Sequence, residues 1–334
     1  MKPSGIGGQA VMEGVMMRNK SHYAVAVRRP DHSIVVNVAE WNSVSKKYRI
    51  LGLPFIRGSV NLIESMVYGM KTLTYSANFF DEEPKPEEEK KSAFGPLAIF
   101  LTVCLSLVLS VALFVFLPQL ITEAILALAG TDMTLSPFLG SLLEGVLRIA
   151  IFILYVLLIT LMPDIKRTFM YHGAEHKCIN CVENGWELTV ENAAKASKEH
   201  KRCGTSFMII VMVISILVLS LVNLIPIYTG HVKLIKILCR LGIRLVFLPI
   251  VAGVSYEFLK LAGRSENAVV RILSKPGLWM QKLTTYEPDP EMLQVAIKSV
   301  EAVFDWKAFL ENGNGDREVV LGETELGDPS LSGD

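Results

Sequence analysis

Charge is sparse in this sequence. Only 20% of its 334 residues are charged, and 33 basic side chains balance 33 acidic ones to a formal net charge of zero. A neutral chain lacks the electrostatic footprint of a nucleic-acid binder, so no nucleic acid is expected among its partners. Cysteine is scarce and odd in number: Cys104, Cys178, Cys181, Cys203 and Cys239, two in apolar runs and three in one polar loop, which excludes a disulfide framework. The N-terminus has no apolar stretch with a small-residue cleavage site, so no signal peptide is expected to be removed. Internal repeats are also missing, including the inverted repeats that many secondary transporters carry.

What the chain does have is apolar surface. With 51% hydrophobic residues and a mean hydropathy of +0.40, it falls in the membrane class. A helix crossing lipid needs about 20 apolar residues, because its backbone must satisfy itself. Residues 97–117 and 204–230 meet that test without a charged residue. Residues 142–163 follow, uncharged after Arg148, and then 241–261, with Arg244 and Glu257 near its ends. The apolar piece 119–130 is too short to cross and reads as interfacial or re-entrant. The predicted fold class is therefore an α-helical multi-pass membrane protein with about four transmembrane helices and a small cytoplasmic mixed α/β portion.

Lys and Arg beside spans stay in the cytoplasm. The connection 118–141 has neither, whereas the loop 164–203 has seven, and both termini are rich in them. The expected location is the cell membrane, with both termini and the loop 164–203 on the cytoplasmic side. Membrane lipid is the expected partner; no protein partner can be named.

Five regions follow. Residues 1–80 form an N-terminal cytoplasmic region, in which alternating Tyr23–Arg28 and Ser33–Val38 predict a β-hairpin. In the same region Val60, Ile63, Met66, Val67, Met70 and Leu73 recur at helical spacing and predict an amphipathic helix over 57–78. That helix is expected to pack on the hairpin rather than lie on the membrane, since its polar face is not heavily basic. Residues 81–93 are a charged linker, 94–262 the membrane region with its His/Cys loop, and 263–311 a C-terminal helical region. There Trp279 is placed at headgroup depth, and Met292, Val295, Ala296, Ser299 and Val303 share a face of a helix over 291–310. Residues 312–334 form an acidic tail expected to be disordered.

The chemistry concentrates in the loop 164–203. If helical geometry continues from the second span, His172 and His176 fall on one face, a spacing that lets two imidazoles reach one metal. Thr189 is a plausible N-cap of a helix ending near His200 and Cys203, which at i, i+3 again share a face. Folding the loop back brings His172, His176, His200 and Cys203 into a tetrahedral set suited to Zn²⁺. His172-x-x-Glu175-His176 also matches the inverted zincin pattern, with Glu175 as general base, although Gly173 lowers helix propensity within it. Cys178-x-x-Cys181 reads as a bystander pair before a redox pair. Elsewhere, Glu144 and Arg148 form an i, i+4 pair. Lys233, Lys236, Arg240 and Arg244 form a basic stripe, read as snorkelling side chains or as a site for anionic lipid headgroups.

The stretches Gly7–Arg18 (GGQAVMEGVMMR), Tyr171–Lys177 (YHGAEHK), Arg202–Phe207 (RCGTSF) and Pro276–Trp279 through Thr285 resemble the YqhQ-like family. These are bacterial membrane proteins of unknown function described as predicted metal-dependent enzymes. The resemblance implies a multi-pass location and a metal site including His172, Glu175, His176, His200 and Cys203, but not Cys178 or Cys181. It also makes Gln9 and Glu13 candidates to complete the site. The expected function is a Zn-dependent hydrolase at the cytoplasmic membrane face. Its rivals are a membrane scaffold or assembly factor with a structural metal, and then a transporter.

Overall fold

The computed structural model describes residues 3–80, 96–128, 137–222, 233–263 and 267–326. The chain is mostly helical with one small sheet, and it divides into two compact units. The first comprises Met1–Phe80, Leu158–Ile210 and Ala252–Asp334; the second comprises Asp81–Leu157 and Val211–Val251.

The first unit is built on an antiparallel sheet in the order β1 (Gly7–Val11), β2 (Gly14–Asn19), β3 (His22–Arg28), β4 (Ile34–Glu40) and β5 (Gly322–Leu326). Strict alternation gives the sheet two apolar faces. Val15, Met17, Ala24, Ala26, Ile34 and Val36 point into one core. There they meet α6 (Pro163–Glu183) and α11 (Pro290–Val303). Met16, Tyr23, Val25 and Val27 point to the other face, beside Trp41 and the α2 (Ile56–Ala77) residues Tyr68 and Tyr75. The helix predicted from Met292, Val295, Ala296, Ser299 and Val303 is α11, and all five are buried. It stops at Phe304, and α12 (Trp306–Asn312) follows with Asp305 as its N-cap.

Two expectations for this unit are corrected. The acidic tail is not disordered from residue 312: β5 pairs in register with β4, Ile34 opposite Leu326. Its outward carboxylates are neutralised, Glu325 lying 2.6 Å from Arg29 Nη1 and Glu323 accepting from Tyr75 Oη at 2.7 Å. The second correction concerns α2. Its buried positions are Gly58, Glu64, Gly69, Thr72 and Ser76, while Ile63, Met66, Val67, Met70 and Leu73 are exposed. Small and hydrogen-bonding residues let α2 sit close to the sheet, so the apolar stripe points away from it.

In the second unit, α3 (Pro96–Val111) and α4 (Leu117–Leu128) are joined through a π-helical turn, Ala112–Phe116, into one rod. The piece expected to be interfacial is thus the continuation of the first apolar helix. The physical reason sits at Pro118, which has no N–H for the carbonyl four residues back, that of Phe114; a π turn absorbs such a mismatch. Arg148 on α5 (Pro137–Ile159) donates Nε to Phe114 O at 2.9 Å, and Glu144 holds Arg148 at 2.6 Å. Two helices, Cys104–Leu128 and Leu139–Ile159, are long and apolar enough to cross a membrane. The other two expected spans are also helical, as α8 (Gly204–Val222) and α9 (Lys233–Ala262). In α8 the described apolar stretch, Gly204–Val218, is shorter than the two crossing candidates.

The linker 81–93, the tail beyond 326 and the side chains of Lys233, Lys236, Arg240 and Arg244 lie outside the described residues. Among the described residues the remaining α-helices are α1 (Val44–Lys47), α7 (Val190–Lys195) and α10 (Ala268–Thr284).

Removing Arg148 takes a charged partner from the partly buried Glu144 and a donor from Phe114 O. Arg148→Leu is expected to cost about 3–5 kcal/mol, and Glu144→Leu/Arg148→Leu together distinctly less, measured as the loss of folded fraction on heating in detergent.

Candidate metal centre

Helix α6 begins at Pro163, which fits the first turn because its missing N–H has no intrahelical partner. His172, His176, Asn180 and Glu183 follow at four, eight and eleven residues, one stripe of the helix. Gly173 does not break it. A Cβ there would collide with the carbonyl oxygen of Tyr286, so the glycine lets the segment after α10 approach α6. That segment is pinned by Tyr286 N donating to Phe169 O at 3.0 Å.

The approach delivers the first orienting contact. His172 Nδ1 lies 2.8 Å from the carbonyl oxygen of Thr284, and His176 Nδ1 lies 2.6 Å from that of Lys198. A carbonyl can only accept, so each Nδ1 carries a proton and each Nε2 is turned to the other side as the nitrogen available to a ligand. On that side stands Cys203, its Sγ 3.2 Å from His172 Nε2. One ligand atom each from His172, His176 and Cys203 lie within 4.8 Å of one another.

Cys203 is the N-cap of α8, where Thr205 N donates to its sulfur at 3.4 Å. Burial pushes the Cys203 thiol up, but His172 and His176 beside it outweigh that and hold it well below the usual thiol range. Burial pulls His172 down, and the Cys203 thiolate more than compensates, raising it to about 9. The sulfur is therefore ionised before any metal arrives, the form in which cysteine ligates.

Glu175 stands at the rim of this group. Its Oε1 accepts from Gly8 N at 3.0 Å, and its Oε2 lies 4.0 Å from His172 Nε2. Gly8 is a close approach: a Cβ would lie 3.0 Å from Glu175 Cγ and would collide with Met16 O.

His200 is next to the group but outside it. Its ring centroid is 5.7 Å from that of His176, while Nε2 lies 3.5 Å from Glu183 Oε2. The expected helix from Thr189 to Cys203 is corrected for the same reason. Thr189 does cap α7, accepting from Asn192 N at 3.2 Å, but α7 ends at Lys195, so the i, i+3 argument does not apply to His200 and Cys203. Gln9 lies against Gly69 of α2, and Glu13 is ion-paired to Arg167, Nη2 to Oε2 2.7 Å, with Tyr171 Oη at 3.2 Å. Neither joins the metal group. Cys178 and Cys181 are on the opposite side of α6, wholly buried in the sheet core, and burial pushes Cys181 up to about 11.

Several supporting residues have a role that the sequence reading does not assign them. Lys177 Nζ donates to the carbonyls of Ala194 and Ala196 at 2.8 and 3.0 Å, and Asn180 Nδ2 to those of Ser197 and Glu199 at 2.6 and 3.0 Å. Gln281 of α10 accepts from His200 N at 2.8 Å and donates to His200 O and Ser206 Oγ, each at 2.7 Å. Glu183 accepts from Ser4 N and Oγ at 2.8 and 2.7 Å and from Arg202. The stripe continuing from His176 to Asn180 and Glu183 was the available signal.

Residues 53–306 match the family described as protein of unknown function (DUF1385). The chain belongs to that family. It is also 33% identical over 327 residues to the uncharacterized protein YqhQ of Bacillus subtilis (strain 168), covering 96% of this chain and 98% of that one. No solved structure matches. The matched family segment holds all three close donors, Glu175 and Gln281.

Two outcomes follow. Gly173→Ala should displace residues 284–286 and free the His172 ring, lowering affinity for added Zn²⁺ about 10–100-fold, the usual effect of losing an orienting contact; equilibrium titration against a chelator reads it. Burial pushes the Glu183 carboxyl up, but His200, Arg202 and Ser4 hold it at about 2. A depressed carboxylate stabilises the fold above its unfolded value and loses that contribution as pH falls toward the folded one. The wild type should therefore lose on the order of 3 kcal/mol between about pH 4.5 and 2, and Glu183→Gln should flatten that slope in unfolding curves taken against pH.

Proposed function

We propose that this chain is a multi-pass membrane protein carrying a zinc-dependent hydrolytic centre at its cytoplasmic face. The observation that carries the reading is the convergence of His172 Nε2, His176 and Cys203 Sγ within 4.8 Å, with the orientation of both rings fixed by backbone carbonyls. Two imidazoles and a thiolate are a donor set that fits zinc. His172, His176 and Cys203 would hold the ion, and with only three protein donors a bound zinc could supply Lewis acidity to a substrate. Glu175 is then the base: Gly8 N–H fixes one of its oxygens and the other faces the group. As base, Glu175 would take the proton of the attacking water and return it to the leaving group as the scissile bond breaks.

Membrane location is supported by the two crossing-length apolar helices. The distribution of Lys and Arg supports a four-span arrangement, with 204–230 and 241–261 completing the count and both termini in the cytoplasm beside the centre. The stripe Lys233, Lys236, Arg240 and Arg244 is proposed to meet anionic headgroups.

A second reading, a structural metal that staples the loop 194–203 in a membrane scaffold, is favoured by one observation: His176, Cys203 and Glu175 are all buried.

Elemental mass spectrometry of the detergent-purified chain tests the centre. About one zinc per chain is expected, lost in His176→Ala and in Cys203→Ala; no uptake by the wild type, even on titration with Zn²⁺, sinks both metal readings. Glu175→Gln separates them. Loss of hydrolysis across an ester, phosphoester and peptide panel with zinc retained supports the enzyme, and no hydrolysis by zinc-loaded wild type supports the staple.

A further inference from the structure

The α2 helix is amphipathic with its sides reversed. Inward, Glu64 accepts from Val44 N at 2.7 Å, Ser76 Oγ accepts from Met12 N at 3.1 Å, and Gly69 lies against Gln9. Outward stand Ile63, Met66, Val67 and Met70, each more than 60% exposed. A groove lined by Val67, Met70, Lys71, Thr74, Tyr75 and Asn78 runs along the same side. Large apolar side chains in a continuous row mark a surface that is covered in use.

The segment leading into α2 has the same character. Tyr48, Ile50, Leu53 and Phe55 are exposed. From residue 41 to 63 the sequence has no Asp or Glu but four basic residues; Arg57 is paired to Glu257 at 2.6 Å, which leaves Lys46, Lys47 and Arg49 as the cations of this segment that count toward a surface. In the same unit α10 exposes Val269, Ile272, Leu273 and Trp279 among Arg271, Lys275 and Lys282. In the chain, only three residues separate the end of the crossing-length helix α5 at Ile159 from the start of α6 at Pro163.

We infer that the outward face of α2, together with the segment 44–56, lies in the headgroup region of an anionic bilayer. Apolar side chains with aromatic and cationic neighbours are what that depth selects, and cations close to an anionic surface add to the attraction. A second copy of this chain is the poorer occupant, because a two-fold contact through this face would bring like charges together. The inference rests on the membrane part of the proposed function and not on its metal.

The test uses the full chain in nanodiscs, with a benzophenone-bearing amino acid at Met66 or Met70 and, separately, at the exposed Leu154 of α5. Phospholipid adducts at Met66 and Met70 are expected by mass spectrometry, enriched in the anionic lipid of a mixed phosphatidylglycerol–phosphatidylcholine disc. That enrichment should be lost in Lys47→Gln/Arg49→Gln. Adducts to protein, or none, at Met66 and Met70 overturn the inference, and a lipid adduct at Leu154 in the same experiment leaves the membrane reading standing. Absence of lipid adducts at all three sinks both. Lipid adducts indifferent to headgroup charge and to the double variant overturn the anionic preference.

Discussion

The polar stripe of α6 is the constraint from which the candidate centre follows. Its other faces are fixed in the core by Ala174, Cys178, Ile179, Cys181 and Val182, so the stripe is covered whatever lies over it. The cover is the irregular chain 196–203, and irregular backbone cannot be buried without partners for its carbonyls. Lys177 satisfies 194 and 196, Asn180 satisfies 197 and 199, and His176 satisfies 198. Once those bonds are made, the chain has one route to α8, and that route carries Cys203 to the histidines. The three donors meet because a loop was made compatible with burial.

The stripe's side of α6 also carries two carboxylates, and their surroundings divide their roles. Glu183 is saturated: Ser4 and Arg202 occupy Oε1, and His200 faces Oε2. A carboxylate so held stays ionised and organises its neighbours. Glu175 has one oxygen tied to a backbone amide and the other turned toward His172. Only the second arrangement leaves an atom with something to do at the centre, which is why Glu175 and not Glu183 is assigned the base.

Much of this was legible in the sequence, where regular periods apply. The β3–β4 hairpin, the extent of α2, the buried face of α11 and the pairing of His172 with His176 all follow from period 2 or period 3.6. Reasoning by period failed where regular structure stopped. His200 was assigned by a helical spacing, but α7 ends at Lys195, and the hydrogen bonds of Gln281 set its position instead. For α2 the period was right and the direction was not, because periodicity identifies a stripe without saying what the stripe faces. The tail was read from its acidity, which predicts solvation unless cations wait on the neighbouring strand, and Arg29 does.

Three glycines bring separated stretches of the chain together around the centre. Gly8, Gly173 and Gly277 each lie where two parts of the chain come closer than a Cβ permits: Gly8 on Glu175, Gly173 on Tyr286, and Gly277 on Ser206, where a Cβ would be 2.8 Å from that of the serine. Each belongs to a different stretch, and each contact ends on the same small volume. Gly8 N fixes Glu175, the chain beyond Gly173 fixes His172 through Thr284, and α10 beyond Gly277 fixes His200 through Gln281. A glycine inside α6 costs about 1 kcal/mol of helix propensity, and an alanine there would relieve that cost only by pushing away the carbonyl that orients the first ligand. The sequence thus gives up local helix stability at the point where close approach is what the centre requires.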